Sequence, residues 1–315
     1  MPSPAKGSIH LGRMAGVDLY LHWSWFVVAL FEIQSRNGRY SSVLWNILEY
    51  VSLFSIVLLH EFGHAMACRS VGGEANRILL WPFGGVAYVS PPERPGATLW
   101  SIAAGPLVNV ALLPLLWLAF AFVKVDGWAL SAHDPYIFIR SVLVIDAVLL
   151  IFNMLPIYPL DGGQILRALL WFLMGRGRSL MVATILGLIG IAGFFVFAFW
   201  SGSMWTVAMG VFLLLNCWGG LQRARQMLRM ARLPRRPGYA CPSCRNNPPL
   251  GPFWKCQNCE QTFDTFETGA VCPDCGLRYE TTSCPDCGHS NPIESWTATP
   301  AAIPGILSSS THPAP

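Results

Sequence analysis

Apolar residues gather in six long runs along the chain, at roughly 17–33, 43–66, 97–123, 139–157, 180–200 and 203–221, with short polar stretches between them. A bilayer core about 30 Å thick takes about 20 helical residues to cross. The pattern predicts a mainly α fold: a polytopic membrane helical bundle of about six transmembrane segments. The first run is short and holds His22 and Glu32, so a tilt or an earlier start is expected there. The fourth is interrupted by Pro156 and Pro159, and broken backbone at membrane depth belongs where it is buried in protein or lines a polar cavity. Between the second and third runs, two short apolar stretches (78–83 and 86–89) flank Gly84-Gly85, which predicts a short β hairpin.

Composition supports a membrane solvent. Of 315 residues, 53% are hydrophobic and 12% charged, and the mean hydropathy is +0.44. Soluble domains carry about 25% charged residues. The net charge of +4 is too small to imply nucleic acid. The first residues lack an apolar core followed by a small-residue cleavage site, so the first run itself is expected to direct insertion. With six crossings and the N-terminus inside, the inner loops hold Lys6, Arg13, Arg69, Arg77, Arg94, Arg167, Arg176, Arg178, Arg223, Arg225, Arg229, Arg232, Arg235 and Arg236. The outer loops hold Arg36, Arg39, Lys124 and Arg140. This asymmetry places both termini in the cytoplasm. Residues 222–240 form a basic linker, predicted to continue the last helix along the inner membrane face, where its arginines meet anionic headgroups.

The second run contains H-E-x-x-H, as His60, Glu61 and His64. Residues four apart share one face of a helix, so both imidazoles can point at one ion. Glu61 lies where it can take a proton from a water beside that ion rather than bind it. An intramembrane cluster of ionisable residues is costly and marks function. Two histidines leave a catalytic zinc one protein ligand short. Asp161, after the proline break and before Gly162-Gly163, is the best candidate for the third, and Asp146, within a regular apolar helix, reads better as an interhelical hydrogen-bonding group.

Eight of the ten cysteines form four C-x-x-C pairs between 241 and 287, which is metal-ligand spacing in a reducing compartment. Taken in order, Cys241, Cys244, Cys256 and Cys259 make one zinc ribbon (241–260), and Cys272, Cys275, Cys284 and Cys287 a second (270–290). Phe253, Trp254, Phe263, Phe266 and Tyr279 are expected to pack the small cores, and Asp264, Glu267, Asp274 and Asp286 weigh against nucleic acid. The ribbons are then candidates for recruiting a protein partner. Residues 291–315, rich in Pro, Ser, Thr and Ala, read as a disordered tail.

HEFGH in a membrane segment, followed by N-x-x-P-x-x-x-L-D-G (Asn153, Pro156, Leu160, Asp161, Gly162), resembles the site-2 protease family of intramembrane metalloproteases. AAGPLVN (from Ala103), FGG (from Phe83) and LHWSWF (from Leu21) resemble its other landmarks, so the likeness covers residues 12–175 within a membrane domain of 1–221. It implies one catalytic Zn2+ on His60, His64 and Asp161, with Glu61 as base and Asn153 holding the substrate carbonyl. It also implies that the Gly84-Gly85 loop pairs with an extended substrate by strand addition. The expected function is hydrolysis of a peptide bond in or near a transmembrane segment, in regulated intramembrane proteolysis. The substrate would be an anti-sigma factor or another membrane-tethered regulator, in a bacterial inner membrane. A catalytically silent scaffold is the alternative. Tyr158 stands where the family often has proline, and neither a PDZ-like insertion nor CBS-like repeats are evident.

Overall fold

The computed structural model describes residues 7–35, 38–81 and 84–296. The chain divides into two compact units, residues 1–224 and 225–315.

In the first unit, strands β1 (Ser8–Met14) and β2 (Val17–His22) form a hairpin and lead into helix α1 (Ser24–Ser35). Helix α2 (Val43–Ser70) follows, then strands β3 (Glu74–Trp81) and β4 (Gly84–Ser90). Helix α3 (Pro95–Val125), the short α4 (Trp128–Ser131) and α5 (His133–Asn153) come next. Helices α6 (Asp161–Met174), α7 (Arg176–Ser201) and α8 (Met204–Ala231) complete the series. Five of these helices, α2, α3, α5, α7 and α8, are long and apolar enough to cross a membrane.

The first apolar run differs from the expected single helix. Its opening residues, Val-Asp-Leu-Tyr-Leu-His, alternate apolar and polar, and they form a strand whose Val17, Leu19 and Leu21 are buried against α2. Only 12 residues remain for α1. The run nevertheless climbs the height of the bundle. At its start, the Arg69 guanidinium near the end of α2 donates to the Ala15 and Gly16 carbonyls at 2.6 and 2.9 Å. Just beyond it, the Tyr40 hydroxyl donates to Glu49, near the beginning of α2. Those α2 contacts lie about 20 residues apart, or about 30 Å of helical rise, which equals a bilayer core. The first apolar run is therefore a strand plus a short helix beside α2, not one membrane-length helix.

The expected hairpin is present and is half of a larger sheet. Strand order is β1-β2-β3-β4, with β2 parallel to β3 and the other pairs antiparallel. One sheet face, including Ile78 and Leu80, packs on Val57, Ala65 and Cys68 of α2. Strand β4 is left at the sheet edge, beside α2. Pro82 and Phe83, at the tip, lie outside the described residues.

Proline stops α5 as expected, and residues 154–160 form a tight loop closed by Ile157 N–H to the Leu155 carbonyl (2.7 Å) and Leu160 N–H to the Ile157 carbonyl (2.8 Å). Ile157 anchors it among Ile191, Leu213 and Cys217 of α7 and α8. Tyr158 fits where those helices carry Gly187 and Gly220; a Cβ on Gly220 would lie 2.5 Å from its ring. Helix α6 starts from this loop and packs on α3 and α7.

The cysteine-rich unit departs from the expected boundaries. Helix α8 runs on to Ala231, as the basic stretch predicts, but Arg235 and Arg236 belong to the folded unit. Arg235 grips Asp286 through two hydrogen bonds (2.5 and 3.1 Å), and Arg236 pairs with Asp264 (2.6 Å). Two small hairpins, β5 (Trp254–Lys255) with β6 (Thr262–Phe263) and β7 (Thr281–Ser283) with β8 (Ser290–Pro292), frame an aromatic core. The expected disordered tail begins too early at 291. Residues 290–296 form β8 and a 3-10 turn, because Trp296 is fully buried against Phe266, with ring centroids 5.0 Å apart. Residues 297–315 of that tail lie outside the described residues.

Helices α2 and α3 approach so closely that a Cβ on Gly63 would sit 2.7 Å from the Ala104 carbonyl oxygen. Gly63→Val is expected to destabilise the purified membrane unit by about 1–3 kcal/mol, the usual cost of overpacking. A fall in thermal midpoint by several degrees in detergent checks this.

Candidate metal centre

Helix α2 brings His60, Glu61 and His64 to one buried face, and α6 presents Asp161 from its first turn. The His60 and His64 Nε2 atoms are 3.1 Å apart, and Asp161 Oδ2 lies 3.0 Å from the first and 3.4 Å from the second.

The other ring nitrogens settle what these contacts are. His64 Nδ1 is 2.8 Å from the Ser101 carbonyl, which can only accept, so Nδ1 carries the proton. His60 Nδ1 is 2.6 Å from Asn109 Oδ1, an amide oxygen turned that way with Asn109 Nδ2 on Asp146 Oδ1 at 2.6 Å, and in this arrangement Nδ1 carries its proton likewise. Neutral imidazoles protonated at Nδ1 turn bare Nε2 lone pairs toward each other and toward a carboxylate. Three acceptors so close call for a cation. Ligands about 2.0–2.1 Å from a tetrahedral zinc lie about 3.3 Å apart, which matches these separations. Two His and one Asp leave a fourth position open, the pattern of a catalytic zinc site. The residues present fit the ion.

Glycine makes room for this cluster. A Cβ on Gly105 of α3 would lie 2.3 Å from His64 Nε2 and 2.8 Å from His60 Nε2. Gly162 and Gly163 let α6 start against the 154–160 loop, where a Cβ would be 2.3 Å from the Met154 carbonyl oxygen or 2.5 Å from the Ile157 carbonyl carbon. The loop thereby sets the height of Asp161.

Glu61 does not join the three ligand atoms. Its Oε2 accepts from the Ala87 N–H of β4 at 2.9 Å. A Cβ on Gly85 would lie 2.2–2.5 Å from the Glu61 side chain. The glycine pair singled out in the sequence thus borders the carboxylate, with Gly84 pairing to Trp81 at the sheet edge. Asn153 ends α5 at the start of the loop, half-buried. Among the described residues, no hydrogen bond joins its side chain to His60, Glu61, His64 or Asp161. Partners that sequence reasoning missed are Ser101, Gly105 and Asn109, all on α3. The AAGPLVN stretch drew notice and contains two of them, but nothing in it announces contact with the histidines.

The eight paired cysteines form two clusters, but not in sequence order. Cys241, Cys244, Cys284 and Cys287 make one, and Cys256, Cys259, Cys272 and Cys275 the other. The second is nested inside the loop of the first. Each pair packs its thiols directly on a partner pair distant in sequence, which corrects the expectation of two consecutive ribbons at 241–260 and 270–290. Within each cluster, sulfur separations between the two pairs are 3.5 and 3.6 Å in the inner set and 3.8 Å in the outer. Sulfurs about 2.3 Å from a tetrahedral zinc lie about 3.8 Å apart. The Tyr279 hydroxyl donates to Cys256 Sγ at 3.2 Å and, as the largest influence, pulls that thiol down to about 6. Exposed His289 is not part of either cluster.

Residues 49–134 and 129–197 match the model of Peptidase family M50. The chain carries a peptidase family M50 domain. The match takes in most of α2, the sheet edge, α3, α5 and α6, and so His60, Glu61, His64 and Asp161. A zinc metalloprotease of Methanocaldococcus jannaschii is 32% identical over 182 residues, covering 57% of this chain and 50% of that protein. The Rip3 protein of Mycobacterium tuberculosis is 30% identical over 233 residues, covering 66% and 57%. The chain thus spans about half the length of such relatives. The solved site-2 protease from M. jannaschii aligns with 68% of this chain and 95% of its own, at 26% identity and a TM-score of 0.49. With its membrane-length helices, the M50 domain makes this an integral membrane protein.

Gly105→Ala is expected to weaken metal retention at the M50 centre about tenfold or more, within the range seen when ligand support is disturbed; chelator competition measures it. The nested thiols make a second prediction. Cys241→Ser with Cys256→Ser should remove two metal ions per chain, whereas Cys241→Ser with Cys284→Ser should remove one, as read by elemental analysis.

Proposed function

We propose that this chain is a zinc metalloendopeptidase that hydrolyses a peptide bond in or near a transmembrane segment of a membrane-tethered substrate. The observation that carries the proposal is the meeting of two Nε2 lone pairs and the Asp161 carboxylate, with Glu61 beside them but directed to β4.

Zinc held by His60, His64 and Asp161 would polarise the scissile carbonyl and lower the pKa of a water toward 7. Glu61 takes the proton from the attacking water and returns it to the leaving amine. The Ala87 N–H fixes one carboxylate oxygen, leaving Oε1 for the proton. A helical substrate must unwind before attack, since its amides are otherwise paired internally. Edge strand β4 offers the unwound segment a partner by strand addition along Gly84 and Gly85. That would lay the substrate beside Glu61. Asn153, at the mouth of the 154–160 loop, is assigned to the substrate carbonyl.

The charge asymmetry of the loops supports cytoplasmic termini in a bacterial inner membrane. The α2 end bearing the metal ligands and the sheet then lies toward the cytoplasm. An anti-sigma factor or another membrane-tethered regulator fits as substrate, which would make the reaction a step of regulated intramembrane proteolysis. The two thiol clusters would each hold a structural zinc, giving three ions per chain with the catalytic one, and their unit is a candidate surface for a protein partner. A catalytically silent scaffold is disfavoured by the complete donor set and base.

Glu61→Gln should lower cleavage of a co-expressed substrate by about a hundredfold or more while zinc content holds. Undiminished cleavage would sink the protease reading. The same variant should trap uncut substrate for mass spectrometry. A C-terminal tag reachable only from outside the cell would overturn the topology.

A further inference from the structure

The buried contact from His60 to Asn109 continues beyond the metal centre to a residue with no role in the chemistry above. His60 Nδ1 meets Asn109 Oδ1 at 2.6 Å, and Asn109 Nδ2 meets Asp146 Oδ1 at 2.6 Å. The three residues come from α2, α3 and α5, and Asn109 and Asp146 are completely buried. The second Asp146 oxygen is also buried and has no hydrogen-bond partner among the described residues. The carboxylate is thus committed to Asn109.

An amide can face His60 with either end, because a half-turn exchanges its carbonyl acceptor for an NH2 donor. The two orientations have opposite consequences. With oxygen toward His60, Nδ1 holds the proton and Nε2 keeps the lone pair that binds a metal. With NH2 toward His60, Nδ1 must accept and the proton moves to Nε2. In that second state Nε2–H would donate to Asp161, 3.0 Å away, and the metal-free site would satisfy itself. His60 and Asn109 alone do not choose between these states. Asp146 does. In its ionised form Asp146 only accepts, so the flipped Asn109 would place oxygen against oxygen at 2.6 Å. His64 needs no such device, because the Ser101 carbonyl already dictates its tautomer.

We infer that Asp146 is a positioning residue for the metal centre: it locks the Asn109 amide, and the locked amide keeps His60 in the tautomer whose Nε2 can bind zinc. The inference rests on the zinc-peptidase reading above.

The test measures zinc per chain and zinc affinity, by chelator competition, on the purified full-length protein. His60→Ala supplies the baseline of the cysteine clusters alone. Asp146→Asn gives Asn109 a neighbour that can donate, so the self-satisfied state becomes available. Affinity at the membrane site should then fall about ten- to hundredfold, the worth of one hydrogen bond to a charged group. The exchange Asn109→Asp/Asp146→Asn restores a one-way acceptor facing His60, held from behind by an amide, and should recover most of the lost affinity. A purely structural role predicts the reverse ranking, with the near-isosteric single variant mild and the double variant worse. Unchanged affinity in Asp146→Asn overturns the inference, as does a double variant no better than the single one. Matching unfolding midpoints of the zinc-free proteins show that the ranking is not one of misfolding. If the wild type holds no more zinc than His60→Ala, it is the zinc reading itself that fails.

Discussion

Two imidazole lone pairs and one carboxylate face each other within 3.4 Å in a buried space between α2, α3 and α6. With both imidazoles protonated at Nδ1 such a set repels itself, and a cation between the three makes it favourable. Much of the membrane unit can be understood as holding these acceptors in place against that repulsion. Gly105 removes the side chain that would occupy the same space. The Ser101 carbonyl and the Asn109 amide fix the imidazoles from behind. The 154–160 loop, anchored by Ile157 and Tyr158 between α7 and α8, delivers Asp161 from the opposite side.

The sheet serves the same centre from a different direction. Its apolar face lies on α2, so β4 runs beside the helix that carries the histidines. One amide of β4, the Ala87 N–H, holds Glu61. Glu61, the proposed base, therefore shares its support with the edge on which a substrate strand would pair. Disturbing that edge would displace both, and Gly85 leaves no room for a side chain between them.

Much of the site was legible because its signals are local. His60 and His64 are four apart on one helix, and Asp161 is marked by the prolines before it and the glycines after it. The chain from His60 through Asn109 to Asp146 is a different matter. It joins residues 49 and 37 positions apart, and only the register between helices brings them together. The first apolar run was misjudged because overall hydrophobicity hid a period-two alternation in Val17, Asp18, Leu19, Tyr20, Leu21 and His22. Each C-x-x-C pair is a local signal too, but which pair closes with which depends on the packing of Trp254, Phe266 and Trp296 between them. Trp296 itself sits in a stretch whose composition says disorder, and its burial overrules that composition.

The nesting of the thiol clusters has a kinetic side. The inner set is joined across 13 residues, from Cys259 to Cys272, and the outer across 40, from Cys244 to Cys284. For a flexible chain the longer closure costs about 1 kcal/mol more in entropy. Once the inner set has closed, most of the intervening chain is already tied, and the outer pairs search a much smaller volume. For the two structural metals proposed here, uptake would then run from the inside outward, and loss of the inner ion would loosen the outer one as well.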